Sequence, residues 1–166
     1  RAMAHYLIGR GYRRMAYIGH DIATDFRALA RLDGFKDGLT DAGHILSDTL
    51  ILDGPSSVPL GREGLARMLA RTTPRPEAVF FSNDDMAVGG VFHCQTAGLT
   101  LPHDIALAGF NGLSIGQALP TPLTTIASNR ERIGFVAADH ILRRLKGERP
   151  SRITQIDFRL LPGATA

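Results

Sequence analysis

Polar side chains follow four apolar segments of the sequence, and these are the residues whose types could do chemistry. They are His20, Asp21, Thr24, Asp25, Arg27 and Arg31 after the first segment, Asp53, Ser56 and Ser57 after the second, Ser82, Asn83, Asp84 and Asp85 after the third, and Asn111, Gly112, Ser114 and Gln117 after the fourth. Together these groups offer both donors and acceptors of hydrogen bonds. Such a set suits the binding of a small polyhydroxylated molecule.

The sequence offers little support for catalysis. Cys94 follows His93 directly within a predicted helix, so the two side chains point to different faces. There is no Gly-x-Ser-x-Gly elbow, and no glycine-rich phosphate or dinucleotide loop follows a strand. The six histidines lack the spacing of metal ligands. We therefore expect no catalytic residue, no metal ion and no cofactor; Asp84 with His20 is the one pair that could serve an acid–base reaction.

Several of the polar residues also have purely structural interpretations. Asp85 opens a predicted helix, where an acidic side chain is favoured by capping and by the helix dipole. Asn111 and the glycine after it could form only a turn. Arg27 and Arg31 lie one helical turn apart, as residues of an exposed helix face also do.

Short apolar runs alternate with longer amphipathic stretches along the chain, which predicts strands alternating with helices. The strands are expected at 15–19, 49–52, 78–82, 105–109, 123–126 and 153–161, and the helices near 1–10, 25–41, 60–70, 84–97 and 129–146. This order predicts the α/β class, with a parallel sheet flanked by helices and the alternating segment 153–161 at its edge. Crossovers in such sheets are right-handed, so we expect all strands to run in one direction. The loops after the strands then meet at one edge of the sheet, where such sheets bind ligands.

Two helices carry further expectations. The helix near 25–41 has an apolar face that should pack on the sheet. This face consists of Phe26, Leu29, Leu32, Phe35 and Leu39. Gly89 and Gly90 lie in the middle of the helix near 84–97, where glycine costs about 1 kcal/mol against alanine. Their presence predicts close packing, either on the sheet or against a second copy of the chain.

The composition restricts the class of protein. The 166 residues are 44% hydrophobic and 21% charged, as in a packed globular domain. No apolar run approaches the ~18 residues that span a bilayer. A single cysteine excludes an internal disulfide and favours the cytoplasm as the compartment. The net charge is +3, but the arginines are scattered and there is no tryptophan, so the sequence favours a solvated basic surface over a nucleic-acid face.

Five segments, in order, resemble motifs of one known family. They are GYRRMAYIG at 11–19, RLDGF at 31–35, FSNDDMAVG at 81–89, LTLPHDIALAGF at 99–110 and PLTTI at 122–126. They resemble the GHRRIAFIG, RxxGF, ANDxMAxG, GLxVPxDIxVxGF and PPLTTV motifs of the lactose/galactose repressor family of transcription regulators. The match extends over nearly the whole chain.

The resemblance implies a domain organisation. The fold would be that of periplasmic binding proteins, which have two lobes with a ligand cleft between them. Residues 1–127 would form the C-terminal lobe, 128–150 a helix crossing to the other lobe, and 151–166 a closing strand and tail. A hinge would lie near Ala127 and Ser128. The DNA-binding headpiece and most of the other lobe would precede Arg1.

The resemblance also implies site residues. Arg31 matches the arginine that binds the effector, and Asn83 with Asp84 matches a polar pair at the floor of the cleft. Asn111 stands where the family usually has aspartate, so a negative charge is lost, and Arg27 adds a positive charge nearby. These five residues are the predicted ligand-binding set.

The departures from the family pattern shift the expected ligand from a neutral ring sugar to a sugar acid. The loop 54–60 lacks an aromatic residue that could stack on a pyranose. The segment 109–117 resembles the gluconate-responsive branch of the family, so gluconate is a candidate effector.

The implied partners are this small effector, operator DNA through the headpiece, and a second copy of the chain, with no membrane. Val88 and Leu119 are the interface residues that the family implies. Two alternatives remain open: a transport or chemotaxis receptor with the same fold, and a small sugar-processing α/β enzyme.

Overall fold

A six-stranded sheet runs through the centre of the protein, whose computed structural model describes residues 1–166. The strands are β1 (Met15–His20), β2 (Leu46–Leu52), β3 (Ala78–Phe81), β4 (Ala106–Asn111), β5 (Thr124–Ser128) and β6 (Phe158–Leu161). The helices are α1 (Ala2–Gly9), α2 (Phe26–Asp41), α3 (Val58–Arg71), α4 (Asp84–Ala97), α5 (Ser114–Gln117) and α6 (Arg130–Leu145). The predicted alternation and the α/β class are confirmed; the short helix α5 was not predicted.

The strand order is β2-β1-β3-β4-β5-β6, and β1 to β5 are parallel. β6 is an edge strand, as predicted, but it is shorter than expected and antiparallel to β5. The prediction that all strands run in one direction is therefore wrong for β6. The crossover rule applies where the connecting helix packs back on the sheet. Here the chain leaves the sheet after Ser128 and re-enters beside it, since Ser128 pairs with Phe158.

Each face of the sheet is covered by its own apolar core. α3 and α4 cover one face, where Leu65, Met68 and Val91 are buried, and α1 and α2 cover the other. The predicted inward face of α2 is only partly confirmed: Leu32, Phe35 and Leu39 are buried. Phe26 is 77% exposed and Leu29 is 39% exposed, because the first turn of α2 lies at the edge of the sheet.

The glycines in α4 allow α4 to pack closely within this one chain. A Cβ atom at Gly89 would lie 2.0 Å from the carbonyl oxygen of Val58 in α3, and one at Gly90 would lie 2.7 Å from the ring of Phe81. Packing on α3 and on the sheet thus accounts for both glycines.

Val88 shows the same close packing. It has no accessible surface in this chain, so its side chain cannot reach a second copy. The structure contradicts its prediction as an interface residue; the pattern of buried positions around α4 is wider than one helical face.

Helix α6 differs from the other long helices because none of its residues is buried. Its exposed apolar side chains are Ile133, Phe135, Ile141, Leu142 and Leu145. An amphipathic helix is normally stabilised by packing its apolar face, so this face lacks a partner within the chain. No helix of the protein combines the length and the apolar character needed to cross a membrane.

Candidate functional site

The predicted polar residues lie along the carboxyl edge of the parallel strands. β1, β3 and β4 are neighbours, and they end at His20, Phe81 and Asn111. The loops that follow these strands are therefore adjacent, as the strand-end argument predicted. The imidazole of His20 contacts Ser82 across this edge, and the guanidinium of Arg31 stacks on Phe110, the neighbour of Asn111.

Arg31 is held at this edge by an aromatic ring but lacks strong hydrogen-bond partners. Its side chain is 17% exposed, and its guanidinium carbon lies 5.0 Å from the centre of the Phe110 ring. The nearest carboxylate is that of Asp25, with 4.0 Å between Nη2 and Oδ2. Its Nε is buried and has no hydrogen-bond partner, and it is the one buried side-chain nitrogen or oxygen in this state. A buried donor without an acceptor costs about 1–3 kcal/mol.

Arg31 lines a cavity of about 360 Å³. The apolar part of its lining includes Phe80, Phe110, Ile126 and Phe158, and the polar part includes Ser128, Asn129 and Asp157. An apolar cavity with few polar groups is typical of small-molecule sites. The cavity lies where β5 leaves the sheet and β6 returns to it.

Asp25 connects Arg31 to Arg27. Its Oδ1 accepts hydrogen bonds from the backbone nitrogen of Arg27 at 2.9 Å and from Arg27 Nε at 3.2 Å. Burial alone would raise the pKa of Asp25, but the hydrogen bonds from Arg27 and from the backbone of Ala28 lower it. Asp25 is therefore ionised at neutral pH and offsets one of the two arginine charges.

Arg27 does not line the cavity. Its side chain is 73% exposed, pairs with Asp25 and lies over the ring of Phe26. Two arginines and one carboxylate leave a net charge of +1 in this cluster. The excess of positive charge is thus smaller than the sequence argument assumed.

Asn83 and Asp84 are both engaged within the protein. Asn83 caps α4, since its Oδ1 accepts a hydrogen bond from Met86 N at 3.1 Å. Asp84 is fully buried; one carboxylate oxygen accepts from Leu113 N and the other from Thr125 Oγ, both at 2.6 Å. Burial raises the pKa of Asp84, although these two hydrogen bonds oppose the shift. Asp84 joins β5 to the loop after β4, and it lies outside the lining of the cavity.

Asn111 is half-buried at the end of β4 and adopts a φ of 123°. A positive φ is uncommon for residues other than glycine and is concentrated at functional sites. The next residue, Gly112, has φ 69°, and a Cβ there would lie 2.6 Å from the Cβ of Ala127. The backbone conformation thus directs the chain around Ala127, and Asn111 pairs with that residue in the sheet.

The structure brings some predicted residues together and separates others. Arg31 lies over the ring of Phe110, the neighbour of Asn111, at the same edge, although Asn111 does not line the cavity; Arg27 is largely exposed and Asp84 lies in the core. Sequence reasoning missed Phe110, because an aromatic residue in a buried strand is ordinary. It placed His20 at the edge without assigning it to the site.

Comparison with known proteins agrees with this fold. Residues 4–166 match the family described as a periplasmic binding protein-like domain. The chain is 36% identical over 166 residues to the HTH-type transcriptional regulator GntR of Escherichia coli K12, covering 99% of this chain and 49% of that protein. It is 31% identical over 140 residues to the ribose operon repressor of the same strain, covering 84% of this chain and 42% of that protein.

Solved structures give the same result. The transcription regulator GntR from Chromobacterium violaceum superposes with a TM-score of 0.91 at 36% identity, over 99% of this chain and 60% of that one. A PurR family transcriptional regulator from Vibrio parahaemolyticus superposes with a TM-score of 0.89 at 28% identity, over 99% of this chain and 59% of that one.

The fold defines an α/β domain of the periplasmic-binding-protein type. The chain belongs to the periplasmic binding protein-like domain family, and its relatives are transcription regulators of the lactose/galactose repressor family, as the motifs predicted. It spans about half the length of the curated relatives that it matches.

Proposed function

We propose that this chain is the effector-sensing part of a transcription repressor and that its effector is a sugar acid such as gluconate. The observation that carries the proposal is the state of Arg31: its guanidinium lines a largely apolar cavity, its buried Nε has no hydrogen-bond partner, and the carboxylate of Asp25 lies 4.0 Å from its Nη2. Three of the relatives bear the name GntR.

A ligand carboxylate would supply what Arg31 lacks. A guanidinium can donate two parallel hydrogen bonds to a carboxylate, and charged hydrogen bonds of this kind contribute about 1.5–3 kcal/mol each. The guanidinium lies over the ring of Phe110, a contact that restrains it before the ligand arrives. Asp25 is 4.0 Å away and therefore competes weakly for the same donors.

The other predicted site residues take different roles in this proposal. Asn111 lies at the edge, where its amide can donate to and accept from ligand hydroxyls. Asn83 and Asp84 act on the floor of the cleft by fixing α4 and the loop after β4. Arg27 attracts an anion from the outer rim.

We further propose that residues 1–127 form one lobe, that 128–150 cross to a second lobe outside this chain, and that 151–166 return from it. The unpaired apolar face of α6 and the antiparallel return of β6 support this organisation. The relatives are about twice as long as this chain, which leaves room for a second lobe and a DNA-binding headpiece.

As a regulator, the intact protein would bind operator DNA in the cytoplasm as a dimer and would catalyse no reaction. A ligand that closes the cleft changes the relative orientation of the lobes, and a dimer transmits this change to the DNA. Leu119 stays a candidate interface residue because it is partly exposed where α5 meets α4.

Calorimetry on the intact protein tests the effector. We expect gluconate to bind more tightly than glucose, which has no carboxylate, and Arg31→Met to weaken gluconate binding at least about tenfold. Arg31→Lys keeps the charge but not the forked donors, so its affinity should be intermediate. Unchanged gluconate affinity in Arg31→Met would overturn the assignment. If glucose or glucose 6-phosphate binds best, the sugar-acid proposal is wrong even though the sensor proposal stands.

A further inference from the structure

His20 is fixed at the edge of the sheet by a short chain of contacts. It is the last residue of β1 and is 8% exposed. Its Nδ1 lies 3.0 Å from the hydroxyl oxygen of Ser82, and that oxygen lies 3.4 Å from the sulfur of Met86. Ser82 is fully buried, so water does not compete for its hydroxyl.

These contacts favour one tautomer of His20. The sulfur of Met86 can only accept, so both contacts are hydrogen bonds when the hydroxyl of Ser82 donates to that sulfur. Ser82 then accepts from His20, which requires a proton on Nδ1. This is the assignment in which both contacts are hydrogen bonds, and it leaves Nε2 with a lone pair and no hydrogen.

The second ring nitrogen of His20, Nε2, is free at the carboxyl edge of the sheet, although His20 does not itself line the cavity beside Arg31. Nε2 of His20 has no hydrogen-bond partner in the chain. Arg31 Nε is the only unpartnered polar side-chain atom that is fully buried, so Nε2 of His20 must be at least partly accessible. The charged groups that face the imidazole are Arg31, Asp25 and Asp21. Burial first, and then the Arg31 charge, lower the pKa of His20, which keeps the ring neutral at physiological pH.

We propose that His20 is a specificity-determining residue of this cleft, whose Nε2 accepts a hydrogen bond from a hydroxyl group of the acid held by Arg31. The preferred class of ligand is then a hydroxy acid, and an acid of the same length without hydroxyl groups is disfavoured. This inference rests on the proposed function, since it assumes that Arg31 binds a carboxylate.

The test compares gluconate with hexanoate, which has the same number of carbon atoms and the same charge but no hydroxyl groups. Calorimetry and competition on the intact protein should show that His20→Leu weakens gluconate binding about tenfold and leaves hexanoate binding unchanged. His20→Gln places an amide oxygen near the position of Nε2 and should restore most of the gluconate affinity. Nitrogen NMR of the wild-type imidazole should show the proton on Nδ1.

The outcomes separate this inference from the proposed function. If Arg31→Met loses gluconate but His20→Leu binds it as well as the wild type does, the role of His20 is wrong and the sensor proposal stands. An equal loss of both acids in His20→Leu, or a proton found on Nε2, also overturns the role of His20. If the wild type binds neither acid, the sugar-acid function fails, and this inference fails with it.

Discussion

Two charged side chains at the same edge of the sheet, Asp84 and Arg31, differ in how many hydrogen-bond partners the chain gives them. The carboxylate of Asp84 receives two short hydrogen bonds from Leu113 N and Thr125 Oγ. The guanidinium of Arg31 has a buried Nε with no partner and a carboxylate 4.0 Å away. Asp84 connects β5 to the loop after β4 through hydrogen bonds that would be lost with it, whereas Arg31 keeps donors that a ligand can use. The comparison distinguishes Asp84, which holds the segments of this edge together, from Arg31, which is available to bind a ligand.

The largest effect should come from Asp84→Ala, which leaves the hydroxyl of Thr125 and the backbone N–H of Leu113 without acceptors. We expect the free energy of unfolding to fall by about 3 kcal/mol, because two buried donors lose their partner. Denaturant unfolding measures this change. Asp84→Asn is the matched control and should cost less, since its amide oxygen still serves one donor. If the free energy of unfolding of Asp84→Ala falls by less than about 1 kcal/mol, the structural role assigned to Asp84 is wrong.

Arg31→Met should have a small effect on stability and a large effect on ligand binding. Removing a poorly paired buried charge while keeping an apolar side chain of similar length should leave stability within about 1 kcal/mol of the wild type. The same variant should lose ligand binding, as described above. Thermal unfolding without ligand measures the first effect. If Arg31→Met unfolds as readily as Asp84→Ala, the contrast between the two charges does not hold.

A third prediction concerns pH. The pKa of His20 is lowered in the folded protein from its usual 6.5 by burial and by Arg31, so below about pH 6.5 the unfolded chain binds a proton that the folded chain does not. Stability should therefore fall as the pH decreases from about 6.5 towards the folded pKa, and it should be constant above that range. Melting temperatures at pH 7.5 and 5.5 should differ less in His20→Gln than in the wild type. Because burial and Arg62 lower the pKa of His93 as well, His93→Gln should also reduce the difference, and the double variant should reduce it further. An unchanged difference in His20→Gln would contradict the prediction.

The smallest effect is expected at Arg27. Its side chain is 73% exposed and its ion pair with Asp25 faces solvent, so Arg27→Ala should change stability by less than about 0.5 kcal/mol. Binding of acids should weaken by a few-fold relative to neutral sugars, and this difference should shrink at high salt. Calorimetry at two salt concentrations measures it. An equal loss for acids and neutral sugars would show that the charge of Arg27 is not the cause.

Much of the fold was predictable because it depends on local patterns. The apolar runs give nearly correct bounds for β1, β3 and β5, and the helix predicted near 84–97 is α4. That Asn83 rather than Asp85 caps this helix is a finding of the structure. The direction of β6 was not predictable in this way, because it depends on where the chain goes after Ser128. The exposure of Phe26 was not predictable either. Phe26 lies on the apolar stripe of α2 as expected, but the first turn of α2 lies at the edge of the sheet and leaves this side chain uncovered.

The sequence by itself determined the class of fold, the family and the edge of the sheet at which the polar residues lie. Hydrophobic periodicity, helix caps and family motifs each depend on residues close together in the sequence, so they can be recognised without the structure. Only the tertiary structure decided which of those residues are free to bind. Three outcomes depend on distances between side chains in the folded protein. They are the hydrogen bonds of Asp84 with Thr125 and Leu113, the ion pair of Arg27 with Asp25, and the lack of a hydrogen-bond acceptor for Arg31 Nε. Hydrogen bonds and desolvation act over a few ångströms, so they are fixed by packing and not by spacing along the sequence.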